Sequence, residues 1–305
     1  AAPNGPAVAV GWAVFGGVTA AALTGRTADA ARLAARGRDV YPDVDALLRF
    51  LLTLGEVRML TLTGQFDAAR SRSGDLVRIT SPGQFRARAM AHVLAATVEV
   101  GRGQLRTAMR RLEENLAALS GEGAAAWNLP AKLLLAQCYC GLGRDEVAGP
   151  LVAELTDGVG RGGGSFAPSV RITEAWLAAA EGHLRAATAT AVHAADLAAE
   201  GGQRAIELMA LHAAARFGDR SCLPRLVEVA GSVGGPLAAA DAAHARGLMN
   251  ADAGQVFSAA MEFERIGALL SAADAAAQAA VLFDAAGDRR HGLEAGAMAD
   301  RLARE

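Results

Sequence analysis

Five side chains able to hydrogen-bond, stack or carry charge recur along this chain at one fixed offset. Arg58, Thr97, Gln137, Trp176 and His212 each stand six residues before a glycine, and Leu248 and Val281 continue the series. A cation, a hydroxyl, an amide, an indole and an imidazole in succession suit recognition by hydrogen bonds and stacking. Trp127-Asn128, at the start of an apolar periodic stretch, extends the same set as a rim. The plainer reading of any one of these residues is variable surface. For Trp176 the choice is between core and binding platform.

The motifs of bond-making chemistry are missing. The run Gly160-Arg161-Gly162-Gly163-Gly164-Ser165 is rich in glycine, but it lacks the lysine of a phosphate loop and follows no strand. It reads as a connection between repeats. The six histidines, His92, His183, His193, His212, His244 and His291, contain no i, i+4 pair, so no metal site is expected. No serine, cysteine or lysine sits in a nucleophile motif, and the chain is expected not to be an enzyme. Cys138 and Cys140 lie two apart in an apolar helical run and read as buried packing residues. With Cys222 they form no disulfide framework. Arg102, Arg106 and Arg110 make a stripe with Arg111 beside it. It is either a grip for phosphate or, with Glu113 and Glu114, a solvated charged face. Residues 1–120 carry 15 Arg against 10 acids, and residues 121–305 carry 15 basic residues against 22 acids. Neither balance implies direct nucleic-acid binding.

What positions the offset series is a repeat. Gly25, Gly64, Gly103, Gly143, Gly182, Gly218, Gly254 and Gly287 are separated by 39, 39, 40, 39, 36, 36 and 33 residues. An alanine follows five later in six units (Ala30, Ala69, Ala108, Ala148, Ala187, Ala259), and a small residue recurs seven before (Ala96, Ala136, Ala175, Gly247, Ala280). Glycine suits the left-handed residue just past a helix end, and matched small residues let two antiparallel helices approach closely. The second unit reads as a helix to Leu62, the turn at Gly64, and a return helix from Phe66 to Ile79 before Ser81-Pro82. The Gly218 unit has Leu211 and Leu223 at its two small positions, which makes its register the least determined. These features resemble tetratricopeptide-like α-hairpins. They predict an all-α superhelix of about eight helix pairs filling 1–305 as one domain. In such an array the first helix of each pair lines a concave groove, where the offset series is expected to meet a protein or small-molecule effector. Ala7 to Leu23 carries no charge, yet glycines dilute it and no basic segment precedes it. It reads as the first helix of the array rather than a membrane span or signal peptide. The expected setting is cytoplasmic. The apolar outer face of that helix suggests a chain cut from a longer protein, or a helix covered by a partner.

The last two units carry a narrower likeness. Phe263-Glu264-Arg265-Ile266-Gly267-Ala268, then Ala272 to Ala280, Ala285-Ala286-Gly287-Asp288-Arg289-Arg290 and Met298 to Ala303 resemble the helical segment of large LuxR-type transcriptional regulators. The resemblance implies an effector- or partner-sensing middle region, with an ATP-binding switch module before it and a DNA-binding module after it. No cofactor is implied in these residues themselves; ATP would bind in a module outside them. A free-standing adapter that docks a peptide or protein is the alternative.

Overall fold

The structure, a computed structural model, describes residues 5–40, 46–80, 85–119, 125–160 and 164–304. Among the described residues, sixteen α-helices follow one another in antiparallel pairs. The first three pairs are α1 (Gly5–Leu23) with α2 (Thr27–Val40), α3 (Ala46–Leu62) with α4 (Phe66–Ile79), and α5 (Phe85–Arg102) with α6 (Leu105–Leu116). Next come α7 (Ala125–Gly141) with α8 (Asp145–Gly160), α9 (Ala167–Ala180) with α10 (Leu184–Glu200), and α11 (Arg204–Arg216) with α12 (Leu223–Ser232). The last two pairs are α13 (Pro236–Met249) with α14 (Ala253–Ile266), and α15 (Leu269–Ala285) with α16 (Arg289–Leu302). Among the described residues there is no strand. The expected all-α hairpin superhelix of eight pairs is therefore the observed fold. Ser81-Pro82 and Arg161 to Gly163 lie outside the described residues. No described helix is long and apolar enough to cross a membrane.

Alanine explains the density of this stack. Ala30, Ala69, Ala108, Ala148, Ala187 and Ala259 are all buried, where anything larger would push two helices apart. Alanine also has the best intrinsic helix propensity. Seven of the eight spaced glycines take a positive φ in the hairpin turn, for example 79° at Gly64 and 80° at Gly182. The chain then closes back on its first helix, as where Gln65 N donates to Leu60 O at 2.8 Å.

The exception is Gly254. Ala251, at φ 51°, takes the left-handed turn there. Gly254 falls inside the first turn of α14, behind an Asp252 cap whose Oδ1 accepts from Gln255 N at 3.0 Å. The register error therefore sits in this unit and not at Gly218, which turns normally at φ 101°.

The superhelix also returns on itself. Leu237 N, at the start of α13, donates to Thr63 O at the end of α3 at 3.2 Å. A Cβ on Gly64 would lie 2.7 Å from Leu237 Cβ, and one on Gly103 would lie 2.9 Å from the backbone nitrogen of Leu270. One on Gly25 would lie 2.6 Å from Ser232 O. Phe66, the first residue of α4, is buried in one cluster with Phe263, Ala260 and Ala272 from the last two pairs. Arg102 crosses the same seam, pairing with Asp67 at 2.8 Å and lying against the α14–α15 turn at Gly267. The turns of the first three pairs thus abut the pairs five further on.

Candidate functional site

The first helices of the pairs converge on a cavity of about 200 Å³ inside the closed superhelix. Its wall drifts along the helices. Thr61 and Leu62 of α3 and Val100 and Gly101 of α5 lie two or three residues before their turn glycines. Gln137 of α7, Trp176 of α9 and His212 of α11 lie six before theirs. Asp241, near the start of α13, and Ser271, near the start of α15, complete the ring. The cavity crosses the stack obliquely because each pair is rotated on the one before it.

Of the residues singled out by offset, Gln137, Trp176 and His212 therefore meet at one cavity. Arg58 and Thr97 do not line it; each lies about one helical turn before the lining residues of its own helix. Thr97 Oγ1 donates to Val93 O at 3.0 Å, and burial lowers the Arg58 guanidinium below its ordinary pKa. Leu248 is buried core and Val281 is 69% exposed, so the inner-face series ends at His212. Trp127, part-buried, packs edge-on to Phe50 at 5.4 Å, and neither it nor the adjacent Asn128 lines the cavity. The offset missed Met209, Arg216, Asp241 and Ser271. Arg216 was within reach, since it follows His212 by one turn on the same helix face.

A buried polar network stands behind the wall, reaching the cavity itself through His212, Arg216 and Asp241. His212 Nε2 lies 3.1 Å from His244 Nδ1, and His244 Nε2 lies 2.9 Å from Gln278 Oε1. Gln278 Nε2 donates to Ala215 O at 3.1 Å and Arg216 O at 3.2 Å, tying α15 to the end of α11. Arg216 Nε donates to Asp274 Oδ2 at 2.6 Å, and its guanidinium carbon sits 4.5 Å from the Trp176 ring centroid. Phe217 meets Trp176 edge-on at 4.7 Å. The indole thus lines the cavity while already carrying a cation–π contact with Arg216. Burial drives the charges in this wall toward neutrality. It pulls His244 down to about 4 and His212 well below the ordinary histidine value, and it raises Asp241 well above the usual carboxylate range, with Arg216 opposing. The 3.2 Å approach of His212 Nδ1 to Asp241 Oδ1 is accordingly a contact with a neutral imidazole at neutral pH.

Elsewhere the groups that can do chemistry are engaged in structure. Burial pushes the thiols of Cys138, Cys140 and Cys222 up to about 12, far from the thiolate a nucleophile needs. The arginine stripe is divided. Arg102 and Arg111 hold Asp67 and Glu99, while Arg106 and Arg110 are exposed. Among the described residues no group of three or more His, Cys, Asp or Glu side chains stands placed to hold a metal.

No protein-family model matches the sequence, and no curated protein matches it. Solved structures do resemble the fold. A Rap protein complexed with Competence and Sporulation Factor matches with a TM-score of 0.71 at 10% identity, covering 89% of this chain and 80% of that one. The apo form of RapI matches with a TM-score of 0.56 at 10% identity, covering 90% and 81%. At such identity the likeness is one of fold. Neither neighbour brings a LuxR-type setting with it.

Proposed function

We propose that this chain is a non-catalytic helical-repeat adapter that takes a peptide or protein partner on its concave face. The observation that carries this reading is the mixed cavity at the centre of that face, where Gln137, Arg216, Asp241 and Ser271 stand among apolar side chains. Concave sites with a few convergent polar groups are the usual form of a recognition pocket. The fold it shares with a Rap protein solved in complex with a factor supports the same reading.

The narrower reading, a sensing region of a LuxR-type regulator, rests on the residues of 263–303 alone. Ala272, Ala275, Ala276 and Ala279 are buried between α15 and its neighbours, so close helix packing by itself accounts for much of that alanine-rich pattern.

Panning a random hexapeptide library against the full chain tests the adapter reading. Enriched peptides are expected to lose about tenfold in retention on Met209→Lys at the cavity and none on Leu293→Lys on the outer surface. No enrichment, or retention indifferent to Met209→Lys, would contradict it.

A further inference from the structure

Arg58 is a cation of the inner face without a counter-ion. It stands three residues before Thr61 and four before Leu62, which line the cavity, and those spacings put all three on one face of α3. It thus lies about 5 Å along the helix axis from the cavity wall. Among the described residues it makes no hydrogen bond and no ion pair. Burial lowers its pKa, and no neighbouring charge opposes that shift.

Other arginines that leave the surface are held by acids: Arg102 by Asp67, Arg111 by Glu99 and Arg216 by Asp274. No acid remains for Arg58. Glu56, two residues away on another side of α3, pairs with Arg72 of α4. Glu99 of α5 grips Arg111 instead. The apolar helix α1 carries no charge, and it packs so closely on α3 that a Cβ on Gly55 would lie 3.3 Å from Val18. A guanidinium cannot shed its proton at neutral pH, so its desolvation is offset only by an anion. Arg58 is part-buried, and its nitrogens are not sealed from solvent. The group is therefore reachable from the groove.

We propose that Arg58 is the seat of a carboxylate, whose two oxygens accept from the forked N–H groups of the guanidinium. One guanidinium balances one negative charge. A phosphate group brings nearly two, and α1 offers no cation to meet the second. The carboxylate has two peptide sources, an Asp or Glu side chain and a free C-terminus. The inference rests on the concave face being the binding face, and it adds a charged contact one helical turn from the cavity.

NMR of the arginine Nε–H groups in the isotope-labelled full chain tests the seat directly, with acetate, phosphate or acetamide added at constant pH and ionic strength. The Arg58 signal is the one absent from Arg58→Met, or from Arg58→Lys if the first variant does not fold. That signal is expected to shift saturably with acetate, at lower concentration than with phosphate, and to ignore acetamide. Arg58→Met is expected to melt no lower than the unaltered chain, because an unpaired buried charge is removed. A signal indifferent to acetate, or one that phosphate saturates first, overturns the proposal. Three random hexapeptide pools then identify the source: amides without Asp or Glu, free acids without Asp or Glu, and amides carrying one Glu. The better carboxylate pool is expected to be retained about tenfold above the neutral amides and to lose that margin in Arg58→Met. Equal retention of the three pools, or a margin that survives the substitution, also overturns it. Peptides that depend on Met209 and not on Arg58 sink this inference and leave the adapter reading standing. An acetate-responsive Arg58 with no peptide retained fails the adapter reading and keeps the carboxylate seat.

Discussion

The hairpin turns of this molecule fall into two sets that share a conformation and differ in what they face. Gly64 and Gly103 turn at φ 79° and 81°, and Gly182 and Gly287 both turn at 80°. A Cβ on either of the first two would strike Leu237 or Leu270, whereas nothing lies within 4 Å of one on either of the second two. The residue two places on tells the same story: Phe66 is 2% exposed and Leu184 is 53% exposed. One local rule, glycine after a helix end, thus serves two tertiary purposes. In the early turns it also admits a distant backbone, and the contact it admits borders the cavity at Leu237 and Leu270.

The largest expected effect separates the two sets at that second position. Phe66→Ala should cost about 3–5 kcal/mol in urea unfolding, the range for emptying a buried aromatic site, while Leu184→Ala should stay within about 0.5 kcal/mol. Equal losses would erase the distinction. At the glycines the contrast is smaller, because both sets carry the same backbone strain. Gly182→Ala should cost roughly 1–2 kcal/mol for the left-handed conformation alone. Gly64→Ala should cost about 1–3 kcal/mol more for the clash across the seam.

A pH effect belongs to the buried network behind the cavity. His244, brought down to about 4, binds its proton more readily unfolded than folded, so stability should fall as pH drops from 6.5 toward 4. His212, shifted the same way, adds to the fall. Asp241, whose carboxyl is raised, opposes it, since its contribution is lost as pH rises instead. Arg216 and Arg220 lower His244, and Asp274 raises it. His244 alone should account for roughly 2–3 kcal/mol of loss over that window, and His244→Gln should reduce the slope. A slope unchanged in that variant would place the titration elsewhere.

The sequence made the local parts of this fold readable, and the structure shows where locality stops. The buried alanines five residues after the turns follow from hairpin packing alone, and so does the inner position of Gln137, Trp176 and His212. A constant offset, however, samples a line parallel to the stack, while superhelical twist carries the cavity wall obliquely from Leu62 to Asp241 and Ser271. Arg58 and Thr97 fall off that path for this reason. Leu248 was misplaced because Ala251, a residue with no turn signal of its own, takes the conformation assigned to Gly254. Phe66 could be read as the first residue of a return helix. Its place against Phe263 depends on a contact nearly two hundred residues away along the chain, and no local pattern encodes that.

Closure itself is the central claim, and a distance between spin labels tests it most directly. Arg26 and Ser232 are exposed residues flanking the contact between the first turn and the end of α12, while the native cysteines are buried. With cysteine introduced at both positions and labelled, double electron–electron resonance should give one narrow distribution below about 25 Å. Five helix pairs stacked without return, at about 10 Å per pair, would instead hold the labels on the order of 50 Å apart. A distribution centred there would contradict the closed superhelix and, with it, the cavity between its first helices.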